Sequence, residues 1–237
     1  MRNLVVVMTF CLIFFCIGAF GTTYVVCVGI ADYPGTRNDL RISDDDAQTI
    51  SRIFQATKNA SVKVLTNHEA TQSAVIDAMQ TLFRHARATD TMILFFSGHG
   101  TPGGLVCHDG PLSYDRIFAV MRDCRAKQKM IFADACYSGK MRTTSSQSSN
   151  SYSKQNVMLF LSSRTNETSQ ETQYKNSLFT IFLERGLRGG ADANKDRTIT
   201  ARELYDFVHQ GVTKASGNRQ HPVMWGKFDN NVPVIKW

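Results

Sequence analysis

The sequence lacks several features that mark common classes of function. Lys and Arg outnumber Asp and Glu by 27 to 20, yet no run of five basic residues occurs, so nucleic-acid binding is not indicated. No Cys-x-x-Cys or His-x-x-x-His spacing occurs, which argues against a zinc site. No internal repeat is visible. These absences leave an ordinary globular domain with a solvated basic surface as the expectation.

Long apolar runs are scarce, and the longest one lies at the N-terminus. Residues 4–17 are almost entirely apolar, Arg2 precedes them and small residues follow. This order is typical of a secretory signal peptide, which we place at residues 1–21 with cleavage before Thr22. A retained anchor is the alternative, but the run is shorter than the ~20 apolar residues that span a bilayer. We therefore expect a secreted or periplasmic protein with no stable membrane association after cleavage.

Four cysteines remain after removal of the signal peptide, an even number that permits two disulfides. Cys27 lies inside an apolar strand, where a small buried thiol is the simpler interpretation. Cys136 follows another apolar strand and is a candidate nucleophile. We therefore predict no disulfide framework. The other two cysteines are Cys107 and Cys124.

Apolar runs alternate with amphipathic segments along the rest of the chain. Continuous apolar strands separated by helices of ten or more residues predict an α/β fold, a parallel sheet with helices on both faces. No domain boundary is visible, so residues 22–237 are predicted to form one domain. Ser43 and Thr71 are predicted to cap the first two helices. The predicted strands are 23–33, 61–67, 91–96, 129–135, 157–163, 222–228 and 232–237, and the predicted helices are 43–57, 71–83, 112–124, 177–187 and 201–212.

Residues 139–156 do not follow this alternation of apolar and amphipathic segments. The segment is rich in serine and nearly free of apolar side chains, so it cannot bury itself. We predict a flexible loop that joins a larger N-terminal part of the domain to a smaller C-terminal part.

His99 and Cys136 carry the strongest chemical pattern, because each follows an apolar strand. Ligands bind at the carboxyl ends of the strands in parallel sheets, and the two residues are expected at that edge. A neighbouring imidazole can take the proton of a thiol, which predicts Cys136 as nucleophile and His99 as general base and then acid. The backbone N–H groups of Gly100 and Cys136 are candidate donors to the oxyanion. For either residue alone, a turn histidine or a buried thiol is the plainer interpretation.

The stretches SGHG (97–100) and DACYSG (134–139) resemble the motifs of caspase-like cysteine peptidases. Asp134 before the cysteine and Ser138-Gly139 after it resemble metacaspases and their bacterial relatives. The resemblance runs from VVCVGI (25–30) to the C-terminus. It implies a caspase-like sandwich with a mainly parallel central sheet of about six strands and helices on both faces.

The resemblance also implies a pocket for the residue before the cleaved bond, the P1 residue. It assigns Asp46, Ser97 and Asp134 to the S1 pocket that binds P1, where carboxylates would bind a basic side chain by charge-assisted hydrogen bonds. We therefore expect protein or peptide substrates with Arg or Lys at P1. The alternatives are that Asp46 complements the dipole of its helix and that Asp134 is a turn carboxylate.

A peptidase with this specificity could cut its own serine-rich loop. The loop contains three basic residues, and an uncut linker is the alternative. A sheet edge near the C-terminus could pair with a second copy or be covered, and we favour a monomer. The candidate self-cleavage residues are Lys140, Arg142 and Lys154.

Calcium is a possible ligand, although no cofactor is expected to be required. Many metacaspases bind calcium through acidic residues after the catalytic His and Cys, and that acidic cluster is missing here. A different stretch, residues 192–203, has oxygen-bearing side chains at the EF-hand positions, with Arg197 where glycine is expected. The alternative is an Asx-rich turn before a helix that Thr200 caps. The candidate ligands are Asp192, Asn194, Asp196, Thr198 and Glu203.

The predicted function is a cysteine endopeptidase that acts through a thioacyl-enzyme. Two other classes stay open. One is a catalytically silent caspase-like domain that binds proteins, and the other is a calcium-binding module.

Overall fold

The structure is a computed structural model that describes residues 21–135, 157–163, 175–226 and 228–236. Cys136, the loop 139–156 and the predicted signal peptide up to Phe20 lie outside these residues. In chain order the described strands are β1 (Thr23–Gly29), β2 (Ala60–Thr66), β3 (Thr91–Ser97), β4 (Gly100–Thr101), β5 (Gly104–Cys107), β6 (Gly110–Ser113), β7 (Gln128–Asp134), β8 (Val157–Leu161), β9 (Thr198–Thr200), β10 (Val223–Trp225) and β11 (Pro233–Lys236). The described α-helices are α1 (Ser43–Gln55), α2 (Gln72–Phe83), α3 (Tyr114–Asp123), α4 (Leu178–Arg185) and α5 (Ala201–Ala215).

A six-stranded sheet forms the centre of the molecule, in the order β10-β8-β7-β3-β1-β2. The pairs β1–β2, β1–β3, β3–β7 and β7–β8 are parallel, and β10 runs antiparallel to β8 at one edge. The prediction of a mainly parallel sheet is therefore confirmed. Strands β3 and β7 lie in the middle of the order, and their carboxyl ends are adjacent.

Helices cover both faces of the sheet. Val26 and Val28 of β1 belong to a core that includes α2 and α3, whereas Val25 and Cys27 belong to a core that includes α1, α4 and α5. Alternate residues of a strand point to opposite faces, so a strand buried on both sides must be apolar at almost every position. Every residue of β3 is buried, in agreement with its continuous apolar run.

Two parts of the fold differ from the sequence prediction. The predicted terminal strand at 232–237 is present as β11, but it pairs with β9, which was not predicted, in a separate two-stranded sheet. The segment that follows His99 was not predicted to contain strands, yet β4, β5 and β6 form a three-stranded antiparallel sheet there. These strands have two to four residues, which is too short for a recognisable alternation.

The cap predicted at Thr71 and the cap considered at Thr200 are confirmed, whereas the cap predicted at Ser43 is wrong. Thr71 caps α2 by accepting a hydrogen bond from the Ala74 N–H at 3.2 Å. Ser43 was predicted as the cap of α1, but it is the first helical residue, and Ile42 precedes it without a side-chain cap. The carboxylates of Asp44, Asp45 and Asp46 in the first turn complement the positive end of this helix instead.

The described cysteines Cys27, Cys107 and Cys124 are free thiols. Burial raises the pKa of the Cys27 and Cys107 thiols, which makes both poor nucleophiles near neutral pH. None of the helices in the described ranges combines the length and the apolar character that crossing a bilayer requires.

Candidate active site

The carboxyl ends of β3 and β7 bring the first predicted site residues together. Ser97 ends β3, Asp134 ends β7, and the two residues are register partners in the parallel ladder. The N–H of Gly98 donates to the backbone carbonyl of Asp134 at 3.1 Å. The pairing therefore extends one residue beyond the strand, up to the residue before His99.

Gly98 lets the chain pass close to two aromatic side chains. A Cβ atom at this position would lie 2.6 Å from the Tyr33 hydroxyl oxygen and 3.0 Å from the ring of Phe96. No larger residue fits there without moving one of the rings. The first glycine of SGHG is thus explained by the position that Tyr33 takes beside His99.

Three contacts hold the His99 side chain and backbone in place. The Nε2 atom of His99 lies 2.7 Å from the carbonyl oxygen of Asn38. A carbonyl only accepts hydrogen bonds, so Nε2 carries the proton and Nδ1 of the neutral ring is the basic nitrogen. The Tyr33 ring packs against the imidazole with centroids 4.7 Å apart, and its hydroxyl accepts the His99 backbone N–H at 2.8 Å.

The Tyr33 hydroxyl also donates to the carbonyl of Val106 at 3.1 Å and so links His99 to strand β5. Tyr33 and Asn38 were not predicted as site residues. Their position in the sequence was the only indication, since both follow β1. Strand β1 is parallel to β3 and beside it, so the carboxyl ends of the two strands lie at the same edge of the sheet.

An open cleft of about 530 Å³ lies beside His99. Gly100, a predicted oxyanion donor, borders this cleft and is the first residue of β4. The predicted nucleophile, Cys136, lies outside the described residues, directly after the buried Ala135. The candidate self-cleavage residues Lys140, Arg142 and Lys154 lie outside them as well.

The three predicted S1 residues form one hydrogen-bonded group with two further residues, which we call the acidic cluster. The Ser97 hydroxyl donates to Asp46 Oδ2 at 2.8 Å. Asp46 Oδ1 accepts from the Ser177 N–H at 3.0 Å and from the side-chain amide of Asn176 at 2.9 Å. The Ser177 hydroxyl donates to Asp134 Oδ2. The acidic cluster consists of Asp46, Ser97, Asp134, Asn176 and Ser177.

The acidic cluster is buried, and this shapes its electrostatics. The exposed fraction is 0% for Asp46 and 4% for Asp134. Burial, and next the nearby Asp134 carboxylate, raise the pKa of Asp46 to about 7. Hydrogen bonds from Asn176, Ser177 and Ser97 oppose this shift. The charge on Asp46 is therefore only partly compensated by its neutral donors.

The backbone at the end of β1 allows α1 to bring Asp46 into the acidic cluster. A Cβ atom at Gly29 would lie 2.2 Å from the Ser43 carbonyl oxygen and 2.6 Å from the Ala47 side chain. The absence of a side chain at Gly29 lets the first turn of α1 pack directly on the strand end. Asp46 thus lies both in the first turn of α1 and in the acidic cluster. It can therefore complement the helix dipole and also belong to the proposed S1 pocket, so these two interpretations of the sequence do not exclude each other.

Asn176 and Ser177 were not predicted as site residues. Ser177 is the N-cap of α4, where its oxygen accepts from the Thr180 N–H at 3.1 Å while its hydroxyl proton is donated to Asp134. A serine before a helix predicts a cap. The residues around Ser177 in the sequence do not predict that the same hydroxyl binds the Asp134 carboxylate at the end of β7.

The candidate calcium loop is held together by its own hydrogen bonds. Asp192 accepts from the N–H groups of Asp196 and Arg197, and Asn194 Oδ1 also accepts from the Asp196 N–H. Glu203 is engaged with the N–H and hydroxyl of Thr200 in a capping box at the start of α5. Within the described part of the chain, no group of three or more His, Cys, Asp or Glu is arranged to hold a metal ion. The fifth candidate ligand, Thr198, begins β9.

Comparisons with known proteins place this geometry in a family. The family model described as "Caspase domain" matches residues 22–232. The structure resembles protein GSU0716 from Geobacter sulfurreducens with a TM-score of 0.65 and 18% identity, over 88% of this chain and 94% of that one. It resembles caspase-1 from Spodoptera frugiperda with a TM-score of 0.68 and 16% identity, over 90% of this chain and 89% of that one. No curated protein sequence matches the chain.

The two structural likenesses agree with the family match in fold. The six-stranded, mostly parallel sheet with helices on both faces is the caspase-like architecture. The matched residues include every described strand and helix except β11. The chain belongs to the caspase-domain family of cysteine peptidases.

Proposed function

We propose that the protein is a cysteine endopeptidase that cleaves after arginine or lysine, a specificity like that of metacaspases. Cys136 is the nucleophile, and His99 is the acid–base residue. The acidic cluster recognises the basic P1 side chain. No cofactor is required for this chemistry.

His99 Nδ1 takes the proton of the Cys136 thiol, and the thiolate attacks the carbonyl carbon of the scissile bond. Backbone N–H groups of Gly100 and Cys136 stabilise the resulting oxyanion. When the C–N bond breaks, the protonated His99 gives its proton to the leaving amine, and a thioester remains on Cys136. His99 then takes a proton from water while the water oxygen attacks the thioester carbon. The C–S bond breaks, the acid product leaves, and His99 returns the proton to Cys136. The hydrogen bond from Nε2 to Asn38 supports this assignment, because it leaves Nδ1 as the base.

The basic specificity is supported by one observation, the pairing of Asp46 and Asp134 in one buried cluster. The two carboxylates repel each other, and the donors that Asp46 meets are neutral. A guanidinium or ammonium group that enters the cluster would supply the missing positive charge through charge-assisted hydrogen bonds. An aspartate side chain would add a third carboxylate and be repelled.

A panel of fluorogenic peptides that differ only at P1 tests this specificity. We expect Arg and Lys peptides to be cleaved at least ~100-fold more efficiently, as kcat/KM, than the neutral, arginine-like citrulline peptide. Asp134→Asn should lower the rate with Arg and leave the slow citrulline rate almost unchanged. A preference for Asp at P1 would overturn the proposed specificity.

We further propose that the enzyme cuts its own loop at Lys140, Arg142 or Lys154. The supporting observation is in the sequence, where these basic residues follow the nucleophile in a serine-rich stretch. Purified wild-type protein should give a larger and a smaller fragment, whereas Cys136→Ala should stay intact. If both proteins remain one band, the stretch is only a linker.

We propose that the chain is exported as a monomer, either secreted or periplasmic. The charged start, apolar middle and small-residue exit of residues 1–21 support export. Mass spectrometry of the exported product should find Thr22 as the first residue.

A further inference from the structure

A buried carboxylate stands at the residue where the predicted signal peptide ends. Asp90 is only 4% exposed. Its Oδ1 atom lies 2.8 Å from the backbone nitrogen of Thr22, and its Oδ2 atom accepts the Arg87 N–H at 2.6 Å. Thr22 is also fixed by its carbonyl, which accepts the Thr91 N–H at 3.0 Å. The first residue of the predicted mature chain is therefore held at the start of β3.

Both carboxylate oxygens of Asp90 accept hydrogen bonds from neutral backbone N–H groups. Arg87 offers its backbone N–H to Asp90, and the ion pairs found within the described ranges involve other residues. A buried carboxylate without a counter-charge destabilises the folded state unless hydrogen bonds or a cation compensate it. A positive charge near Oδ1 would stabilise this site.

Two observations and the predicted cleavage site agree on Thr22 as the start of the folded domain. The caspase-domain match begins at residue 22, strand β1 begins at Thr23, and Gly21-Thr22 is the bond at which the signal peptide is predicted to end. Hydrolysis of that bond leaves the new carboxylate on Gly21 and a protonated amine on Thr22 at neutral pH. The nitrogen that now lies 2.8 Å from Asp90 would then carry a full positive charge.

We infer that Asp90 is a built-in docking site for the N-terminal ammonium group that removal of the signal peptide creates at Thr22. This inference rests on the proposed export. A neutral N–H donor is replaced by a charged donor at the same atom, so the contact becomes a charge-assisted hydrogen bond. Cleavage thereby stabilises the mature domain relative to its precursor, and it does so at the end of the sheet opposite to His99.

The ion pair has a defined pH dependence. A free α-amino group has a pKa of about 8, and pairing with a buried carboxylate raises the pKa of the amine in the folded state. The added stability is fully present below pH ~8 and is lost as the pH rises through the raised pKa. A structural role of the neutral N–H alone would show no such dependence.

The test uses residues 22–237, which contain every described strand and helix, with the Thr22 amine either free or acetylated. Acetylation keeps the N–H donor and removes the charge, so it reproduces the peptide bond of the precursor. We expect the free-amine protein to unfold at a temperature about 3–6 °C higher at pH 7. The difference should shrink as the pH is raised above ~9. A chain that begins at Gly21, with its amine one residue further away, should behave like the acetylated protein.

Asp90→Asn provides the matched control, because it keeps the shape of the side chain and removes its charge. In this variant the free and acetylated chains should unfold at the same temperature. If Asp90→Asn does not fold, the pKa of the Thr22 amine in the wild-type chain, measured by its rate of acetylation against pH, gives the same information. Equal unfolding temperatures for the two wild-type forms, or an ordinary amine pKa, would overturn the docking site. An exported product that begins at another residue would instead overturn the proposed cleavage.

Discussion

The His99 imidazole is oriented by neighbours that carry no charge. The Asn38 carbonyl selects the tautomer, and the Tyr33 hydroxyl connects the His99 backbone to β5. Uncharged partners leave the imidazole free to gain a proton during the reaction without breaking an ion pair. Tyr33 is therefore a positioning residue, whose effect on catalysis passes through His99.

Tyr33→Phe should lower kcat by about 10-fold with little change in KM, because the His99 N–H loses its buried acceptor while the packed ring remains. Both quantities are measured with the Arg-terminated peptide. Tyr205→Phe, which removes a hydroxyl on α5, is the matched control and should leave kcat and KM unchanged. A rise in KM alone would contradict the positioning role.

Asp46 makes the stability of the fold depend on pH. Because burial and Asp134 raise the pKa of Asp46 from 3.8 to about 7, the folded state holds its proton more tightly than the unfolded chain does. The free energy of unfolding should therefore fall as the pH rises from about 4 to about 7 and then level off. Urea unfolding across this range measures the effect.

Asp46→Asn should flatten this pH dependence, whereas Asp45→Asn should not, because Asp45 lies in the same helical turn with a side chain 36% exposed. A guanidinium partner favours the ionised form of Asp46, so the ratio of Arg to citrulline cleavage should rise between pH 5 and pH 7. A wild-type stability profile that rises over this range would contradict the assignment.

At the scale of elements, the ends of two helices supply Asp46 and Ser177 to the acidic cluster. The first turn of α1 brings Asp46, and the N-cap of α4 brings Ser177, to the carboxyl edge of β3 and β7. The sequence predicted these helices and the strands they meet. It did not predict Ser177 as a partner of Asp134, because that contact joins residues separated by 43 positions and depends on how α4 packs.

The loop before α5, residues 192–198, adopts left-handed backbone conformations at residues other than glycine. Arg197 has φ 64° and Lys195 has φ 63°, both in the left-handed region. That conformation costs a non-glycine residue about 1 kcal/mol. The hydrogen bond from the Arg197 N–H to the Asp192 carboxylate and the capping box of Thr200 and Glu203 hold the loop in this shape.

Arg197→Gly should raise the free energy of unfolding by about 1 kcal/mol with or without calcium, because it relieves this conformation. We expect calorimetry to detect no heat of binding when calcium is added to the wild type at micromolar concentration. The positive charge of Arg197 lies in the loop, and the Glu203 carboxylate already accepts hydrogen bonds from Thr200. Urea unfolding and calorimetry measure the two quantities. A micromolar heat that disappears in Asp196→Ala would show that the loop is a calcium site.

At the scale of the whole molecule, burial explains which predictions succeeded. Strands β3 and β7 are apolar along their length, so their place in the middle of a parallel sheet could be predicted. The sheet of β4 to β6 and the pairing of β9 with β11 could not, because such short strands carry no clear periodicity. The site residues likewise divide into those that the sequence could predict and those that it could not. His99, Asp46 and Asp134 could be proposed from motifs, whereas Tyr33, Asn38 and Asn176 act through contacts that only the folded chain brings about.

The most direct test of this account is hydrolysis of a fluorogenic Arg-terminated peptide by the mature chain, beside Cys136→Ala and His99→Ala, with calcium and with a chelator. We predict activity in the wild type under both conditions and a loss of at least ~1,000-fold in each variant. Folded variants with unchanged activity would contradict the roles of Cys136 and His99. A folded wild type that reacts with a thiol reagent at Cys136 but cleaves no peptide, even after its loop is cut, would indicate a caspase-like domain that binds proteins without cleaving them.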